Sequence, residues 1–103
     1  MECVKSIKLT SSGIAYTGEC LLTGMLLGMD KVNDPSITVY DGTDNSGNEI
    51  VPTNDYDASA LNLNGYMASK PDLCTTGIYV EITCAGTVEV VIKYMPRDLW
   101  GIG

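Results

Sequence analysis

ITVYDGTDNSGNEIV, residues 37–51, has the pattern of two β-strands joined by a glycine-containing loop. Successive side chains of a strand point to opposite faces, so one alternating set of residues 37–40 is expected on a buried face and the other set in solvent. Asp41 and Gly42 end the first strand, because glycine adopts positive φ without penalty and aspartate hydrogen-bonds to nearby backbone amides. The segment therefore predicts an all-β protein.

Further strand-like segments recur with the spacing that is typical of a β-sandwich or barrel. They lie at residues 4–9, 14–16, 19–29, 58–63, 77–84 and 87–94. Residues 14–16 can also be an extended connection. The apolar residues of 19–29 also fit helical spacing, but each glycine inside a helix costs about 1 kcal/mol, whereas in a strand it marks a bulge. We therefore expect 19–29 to be one long bent strand.

Residues 77–94 predict a second hairpin, with Ala85 and Gly86 as its turn. Residues 52–57 and 65–76 are expected to be loops. Seven or eight short antiparallel strands can bury their apolar faces only as two packed sheets or a small barrel. We expect an antiparallel β-sandwich, jelly-roll-like, over residues 1–95, followed by an apolar C-terminal tail at 96–103.

The charge and cysteine content narrow the class of protein further. The 103 residues carry a formal net charge of -7, which disfavours binding to nucleic acid or to anionic membrane surfaces. No apolar run is long enough to cross a bilayer as a helix, and residues 1–5 lack the features of a secretion signal, so we expect synthesis in a cytosol. The cysteines are Cys3, Cys20, Cys74 and Cys84. Their spacing favours buried thiols over a disulfide framework or a zinc site.

Candidate chemical sites are weak throughout the sequence. Without histidine, no serine–histidine or cysteine–histidine nucleophile can form. The loop acids Asp41, Asp44 and Glu49, with Asn45, raise the alternative of a calcium site, although the glycine is misplaced for an EF-hand. Asp55 and Asp57 are expected to be solvated acids rather than a catalytic pair. The tyrosines at 16, 40, 56, 66 and 79 can stack on a sugar or form strand surface. We expect no enzyme activity, no metal and no cofactor.

The C-terminal tail is the strongest candidate for contact with a partner. Large apolar side chains are concentrated there, although a free terminus is usually polar. Tryptophan is also over-represented among interface hot spots. The predicted partner-binding residues are Met95, Arg97, Leu99, Trp100 and Ile102. The tail either caps its own sandwich or docks on a neighbouring subunit.

Three segments together resemble the small β-sandwich virion proteins of tailed bacteriophages. They are GECLLTGMLL at 18–27, ITVYDGT at 37–43 with Ser46 and Gly47, and GIYVEIT at 77–83. The resemblance covers roughly residues 14–94, is a loose pattern of alternation and turns, and does not include 96–103. It implies a structural protein on the capsid or at the base of a head fibre, forming dimers or trimers, without enzymatic residues.

The expected function is therefore that of a non-enzymatic virion protein, made in the host cytoplasm and found in the phage particle. The leading hypothesis is a capsid decoration or cement protein that binds the major capsid protein or other virion proteins and self-associates. Two alternatives stay open. One is a carbohydrate-binding or receptor-binding β-sandwich module that uses the tyrosine-bearing loops and calcium, and the other is a tail or adaptor structural subunit.

Overall fold

Eight β-strands arranged in two sheets make up the described part of the chain, which in this computed structural model comprises residues 4–29, 34–55 and 65–97. The strands are β1 (Lys5–Leu9), β2 (Gly13–Thr17), β3 (Cys20–Met29), β4 (Ser36–Asp41), β5 (Asn48–Asp55), β6 (Gly65–Cys74), β7 (Gly77–Thr83) and β8 (Val88–Pro96). Sheet A has the order β1-β8-β3-β6, and sheet B has the order β2-β7-β4-β5. All pairings are antiparallel. The all-β prediction is confirmed, since no α-helix occurs in these ranges.

One apolar core is built from both sheets, which gives the protein a β-sandwich-like arrangement. In β8 every second residue is buried, beginning at Val88, and in β7 Ile78 and Val80 are buried while Tyr79 between them is not. The buried side chains of the two sheets belong to a single cluster that includes Leu22, Met25, Ile37, Val39, Ile78, Val80, Val90 and Ile92. These strands therefore follow the period of two that the sequence displays. β4 does not, because Ile37, Thr38, Val39 and Tyr40 are all buried, so the expectation that one set of these side chains faces solvent is wrong. β4 is an inner strand between β7 and β5, and its neighbours cover its outer side chains.

The pairing of the strands follows a simple rule along the chain. β1 pairs with β8, β2 with β7, β3 with β6, and β4 with β5. Further pairing of β3 with β8 and of β4 with β7 completes the two sheets. Among the eight described strands, β4 and β5 are the consecutive pair that is also hydrogen-bonded, and the other consecutive strands belong to different sheets.

The second predicted hairpin, over residues 77–94, is wrong. β7 belongs to sheet B and β8 to sheet A, so residues 84–87 join the two sheets. Four extended residues at about 3.3 Å each can bridge the ~10 Å between packed sheets. Alternation predicts which side chains of β7 and β8 face the core. It does not show whether the two strands pair in one sheet or lie in opposite sheets, because the same side chains face the core in both arrangements.

The remaining predicted elements have mixed outcomes. The long bent strand is confirmed as β3, whose register shifts between Leu22 and Gly24, as expected for a β-bulge. Residues 14–16 lie in a true strand, β2. The predicted loop at 65–76 is wrong, because β6 covers most of it, and β5 extends through part of the predicted 52–57 loop. The predicted strand at 58–63 lies outside the described residues.

Candidate partner-binding surface

The outer face of sheet A carries a row of apolar side chains across three strands. Leu21 on β3 lies opposite Met95 on β8 and opposite Leu73 on β6. Directly opposite residues of a sheet project from the same face, so these three side chains are neighbours. Leu73 is 53 % exposed, and Leu26, further along β3, is 36 % exposed. We call Leu21, Leu26, Leu73, Val91 and Met95 the outer apolar face of sheet A.

Charged side chains border this outer apolar face. The ammonium of Lys8 lies 3.3 Å from the carboxylate of Glu89, and Lys93 donates a hydrogen bond of 3.0 Å to the hydroxyl of Ser6. Lys8 and Glu89 are exposed, so their ion pair adds little to stability. Lys93 lies between Val91 and Met95 on the same face of β8, so it separates Leu26 and Val91 from the apolar row formed by Leu21, Leu73 and Met95. That row is the apolar centre that a protein interface usually has.

The end of β8 attaches the beginning of the predicted tail to sheet A. Pro96 is the last residue of the strand and pairs with Cys20. The backbone amide of Arg97 donates a 2.9 Å hydrogen bond to the Glu19 carbonyl, and its guanidinium lies 3.2 Å from the Glu19 carboxylate. The chain therefore leaves the sheet directly beside Met95.

Of the five predicted partner-binding residues, the structure describes two. Met95 is half-buried within the outer apolar face, and Arg97 is exposed beside it. Leu99, Trp100 and Ile102 lie outside the described residues. Sequence reasoning missed Leu21, Leu26 and Leu73. The signal for the first two was the pair of adjacent apolar residues on each side of Thr23 and Gly24, Leu21-Leu22 and Met25-Leu26, which places large side chains on both faces of one strand. Leu73 gave no such signal, because it was placed in a loop.

Asp41 connects the β4–β5 hairpin to the connection between β6 and β7. One carboxylate oxygen accepts hydrogen bonds from the backbone amides of Thr76 and Gly77, at 2.9 and 3.3 Å. The other accepts from the amide and hydroxyl of Thr75, at 3.0 and 3.1 Å. Burial raises the pKa of Asp41, but the hydrogen bonds from Thr75, Thr76 and Gly77 outweigh it and hold the pKa below its usual value.

This geometry gives the loop acids structural partners. The carboxylate of Asp44 accepts hydrogen bonds from the amide and the hydroxyl of Ser46, which lower the pKa of Asp44 and close a local turn. The oxygens of Asp41 already face four donors. Among the described residues, no three acidic or cysteine side chains cluster in a way that would hold a metal ion. The calcium alternative therefore has no assembled ligand set in the part of the hairpin that the structure describes.

Two pairs of tyrosines are brought together by the sheets. The rings of Tyr16 and Tyr94 lie 5.1 Å apart, and those of Tyr40 and Tyr79 lie 6.2 Å apart on sheet B. The Tyr40 hydroxyl donates a 3.1 Å hydrogen bond to Glu81. Burial raises the pKa of Tyr40, and the carboxylate of Glu81 raises it further. Tyr56 lies outside the described residues, as does the side chain of Tyr66.

Of the candidate cysteines, Cys20 and Cys74 are fully buried free thiols, and Cys84 is a half-buried one. The prediction of buried thiols is confirmed for Cys20 and Cys74, whereas Cys84 is only partly buried. Cys3 lies outside the described residues.

Comparison with known proteins adds no family to this description. No family model, no curated protein and no solved structure matches the chain. Within residues 4–29, 34–55 and 65–97, the structure contains no helix that could cross a membrane.

Proposed function

We propose that this protein is a non-enzymatic structural component of a phage virion, a capsid decoration or cement protein that binds the particle and self-associates. The observation that carries the proposal is the outer apolar face of sheet A, which lies where the chain continues into the apolar tail. Apolar side chains exposed together at a surface mark an interaction site. The sequence resemblance to small phage virion proteins supports the same role.

The proposed fold within this role is a jelly roll. Two facts support it: the sheet orders are β1-β8-β3-β6 and β2-β7-β4-β5, and each strand pairs with the one at the mirror position along the chain. Such pairing results when the first four strands pair with the last four in one long antiparallel ribbon, and this ribbon then curls into two packed sheets. Eight-stranded jelly rolls are common in viral capsid proteins and lectins.

The proposed interface combines the outer apolar face with the tail residues Leu99, Trp100 and Ile102. A stable interface buries about 800 Å² on each partner, with aromatic and apolar residues at its centre. The charged border formed by Lys8, Glu89 and Arg97 would then sit at the rim. A dimer or trimer of this chain and its contact with the major capsid protein can both use such a surface.

The test begins with the particles of the phage whose genome encodes the chain. Purified particles should contain the protein when they are digested and examined by mass spectrometry. A chain that ends at Arg97 keeps β8 and its bond to Glu19, so it should fold but should not co-sediment with particles that lack the protein. Normal co-sedimentation of this truncated chain would overturn the tail's role.

A matched pair of substitutions tests the sheet. Leu73→Asp places a charge on the outer apolar face of sheet A, whereas Ile14→Asp changes a residue of similar exposure, 45 %, on sheet B. Light scattering after size exclusion should show reduced self-association for Leu73→Asp alone. Equal behaviour of the two variants would exclude this face as the interface.

A carbohydrate-binding module is the second candidate, and one observation favours it. On sheet B, Tyr79 pairs with Ile14 of β2 on one side and with Tyr40 of β4 on the other. Close by, the amide of Asn45 donates a 3.3 Å hydrogen bond to the carboxylate of Glu81. Sugars bind to such mixtures of aromatic faces and hydrogen-bonding groups. A glycan array with and without chelator distinguishes the candidates, because a decoration protein should bind none of the glycans in either condition. A tail or adaptor subunit would differ only in its position in the particle.

A further inference from the structure

Cys20 and Cys74 face each other across neighbouring strands of sheet A. They are direct partners in the register of β3 and β6, and both residues are 0 % exposed. Opposite residues of antiparallel strands have Cα atoms about 4.5–5.5 Å apart. Disulfides join Cα atoms about 4.4–6.8 Å apart. The backbone therefore holds these cysteines at a separation that a disulfide can bridge.

Both side chains lie on the inner face of sheet A, because directly opposite residues project from the same face and both cysteines are fully buried. A hydrogen bond from the Cys74 thiol lowers the pKa of Cys20, and the same hydrogen bond, together with burial, raises the pKa of Cys74. The Cys74 thiol also donates to the carbonyl oxygen of Asp72, at 3.9 Å. Cys20 is the better nucleophile of the pair, since the thiolate is the attacking species in disulfide exchange.

We propose that Cys20 and Cys74 form a reversible disulfide that locks β6 to β3 under oxidising conditions. The oxidant is a low-molecular-weight disulfide, RSSR, and local opening at the end of β6 admits it. The Cys20 thiolate attacks one sulfur of RSSR, forms a mixed disulfide and releases RS⁻. Cys74 then loses its proton and attacks the Cys20 sulfur, releasing the second RS⁻. The two protein thiols lose two electrons and two protons, and RSSR becomes two RSH.

The position of this pair gives the disulfide a structural consequence. Among the described strands, β6 lies at the edge of sheet A and pairs with β3. Edge strands are the elements most exposed to fraying and to pairing with other chains. A bond between residues distant in sequence also restricts the unfolded chain, and the effect grows with the length of the closed loop. The proposal is independent of the proposed function.

Peptide mapping of the full-length protein tests the pairing. The protein is incubated with oxidised glutathione, its remaining thiols are alkylated, and it is digested with trypsin and Glu-C protease. Trypsin does not cleave the bond between Lys70 and Pro71, so cleavage after the other lysines and the glutamates places Cys20 in peptide 20–31, Cys74 in 50–81 and Cys84 in 82–89. We expect peptides 20–31 and 50–81 to be linked in monomeric protein and to separate on reduction. Linkage through Cys84 or Cys3, or no linkage within one chain, would overturn the proposal.

Thermal unfolding tests the lock. The oxidised protein should melt about 10 °C or more above the reduced protein, given the long loop that the bond closes. Cys84→Ser is the matched control and should keep this difference, whereas Cys74→Ser should lose it. Equal melting of oxidised and reduced wild type would refute the lock, and this comparison stands even if Cys74→Ser does not fold.

Discussion

Replacing Asp41 with asparagine should weaken the end of the sandwich where the β4–β5 hairpin meets residues 75–77. Each carboxylate oxygen of Asp41 accepts two hydrogen bonds, from Thr75 on one side and from Thr76 and Gly77 on the other. Asparagine keeps one acceptor oxygen but presents an NH₂ group to the donors on the other side. Two donors thereby lose their partner, and the other two lose the charge on theirs.

The loss in the free energy of unfolding can be worked out from the energies of these hydrogen bonds. A bond to a charged group contributes about 1.5–3 kcal/mol, and an unpaired buried donor costs a similar amount. Most of these donors are near solvent and can bind water instead, so we expect Asp41→Asn to lower the free energy of unfolding by about 2 kcal/mol. This is a large share of the ~5–15 kcal/mol of a typical domain. Asp44→Asn, which affects only bonds to Ser46, is the matched control and should cost clearly less.

The same variant should also change the dependence of stability on pH. The pKa of Asp41 is lower in the folded protein than its ordinary value of 3.8, so the unfolded chain takes up the proton first as the pH falls. The stabilisation is therefore complete above that ordinary value and is lost as the pH falls through the folded pKa. Asp41→Asn should lose less stability than wild type over this acidic range.

Urea unfolding followed by far-UV circular dichroism, at neutral pH and at acidic pH, measures both effects. Asp41→Asn should be less stable than Asp44→Asn at neutral pH, and its disadvantage relative to wild type should shrink in acid. Equal stability of the two variants at neutral pH, or a disadvantage that does not change with pH, would refute the assignment of Asp41 as the anionic acceptor for residues 75–77.

Two further substitutions test the core and the backbone. Leu22→Ala removes a fully buried side chain and should lower the free energy of unfolding, measured with urea, by about 3–4 kcal/mol. Leu26→Ala changes a 36 % exposed position and should lower it much less. Equal losses would contradict the assignment of the two faces of β3. Gly77 has a φ of +157°, and a Cβ there would lie 2.5 Å from the carbonyl oxygen of Tyr16. Gly77→Ala should therefore lower Tm strongly, and Gly28→Ala, which has ordinary contacts, should not; a similar Tm for both would show that the backbone at 77 relaxes freely.

Much of the fold was predictable because alternation is local. The bent strand at 19–29 and the buried sets of β7 and β8 follow from side chains that alternate between two environments. The hairpin at 37–51 was predictable from its glycine-containing loop, although β4 is buried on both faces. Residues 65–74 were missed, since Lys70 and Pro71 interrupt any apolar pattern and their strand depends on pairing with β3. Of the candidate surface, Met95 and Arg97 were predicted, whereas Leu73 was not, because its position on a sheet depends on that same pairing.

The sequence by itself determined that this protein is built of β-strands and, in strands such as β8 with one covered face, which side chains are buried. Tertiary structure alone decided which strands pair, and it placed β7 and β8 in different sheets although their sequences suggested a hairpin. It also brought Asp41 to residues 75–77 and Cys20 to Cys74. The physical reason is that burial depends on the period of a single segment, while pairing and polar contacts depend on which distant segments can share one core.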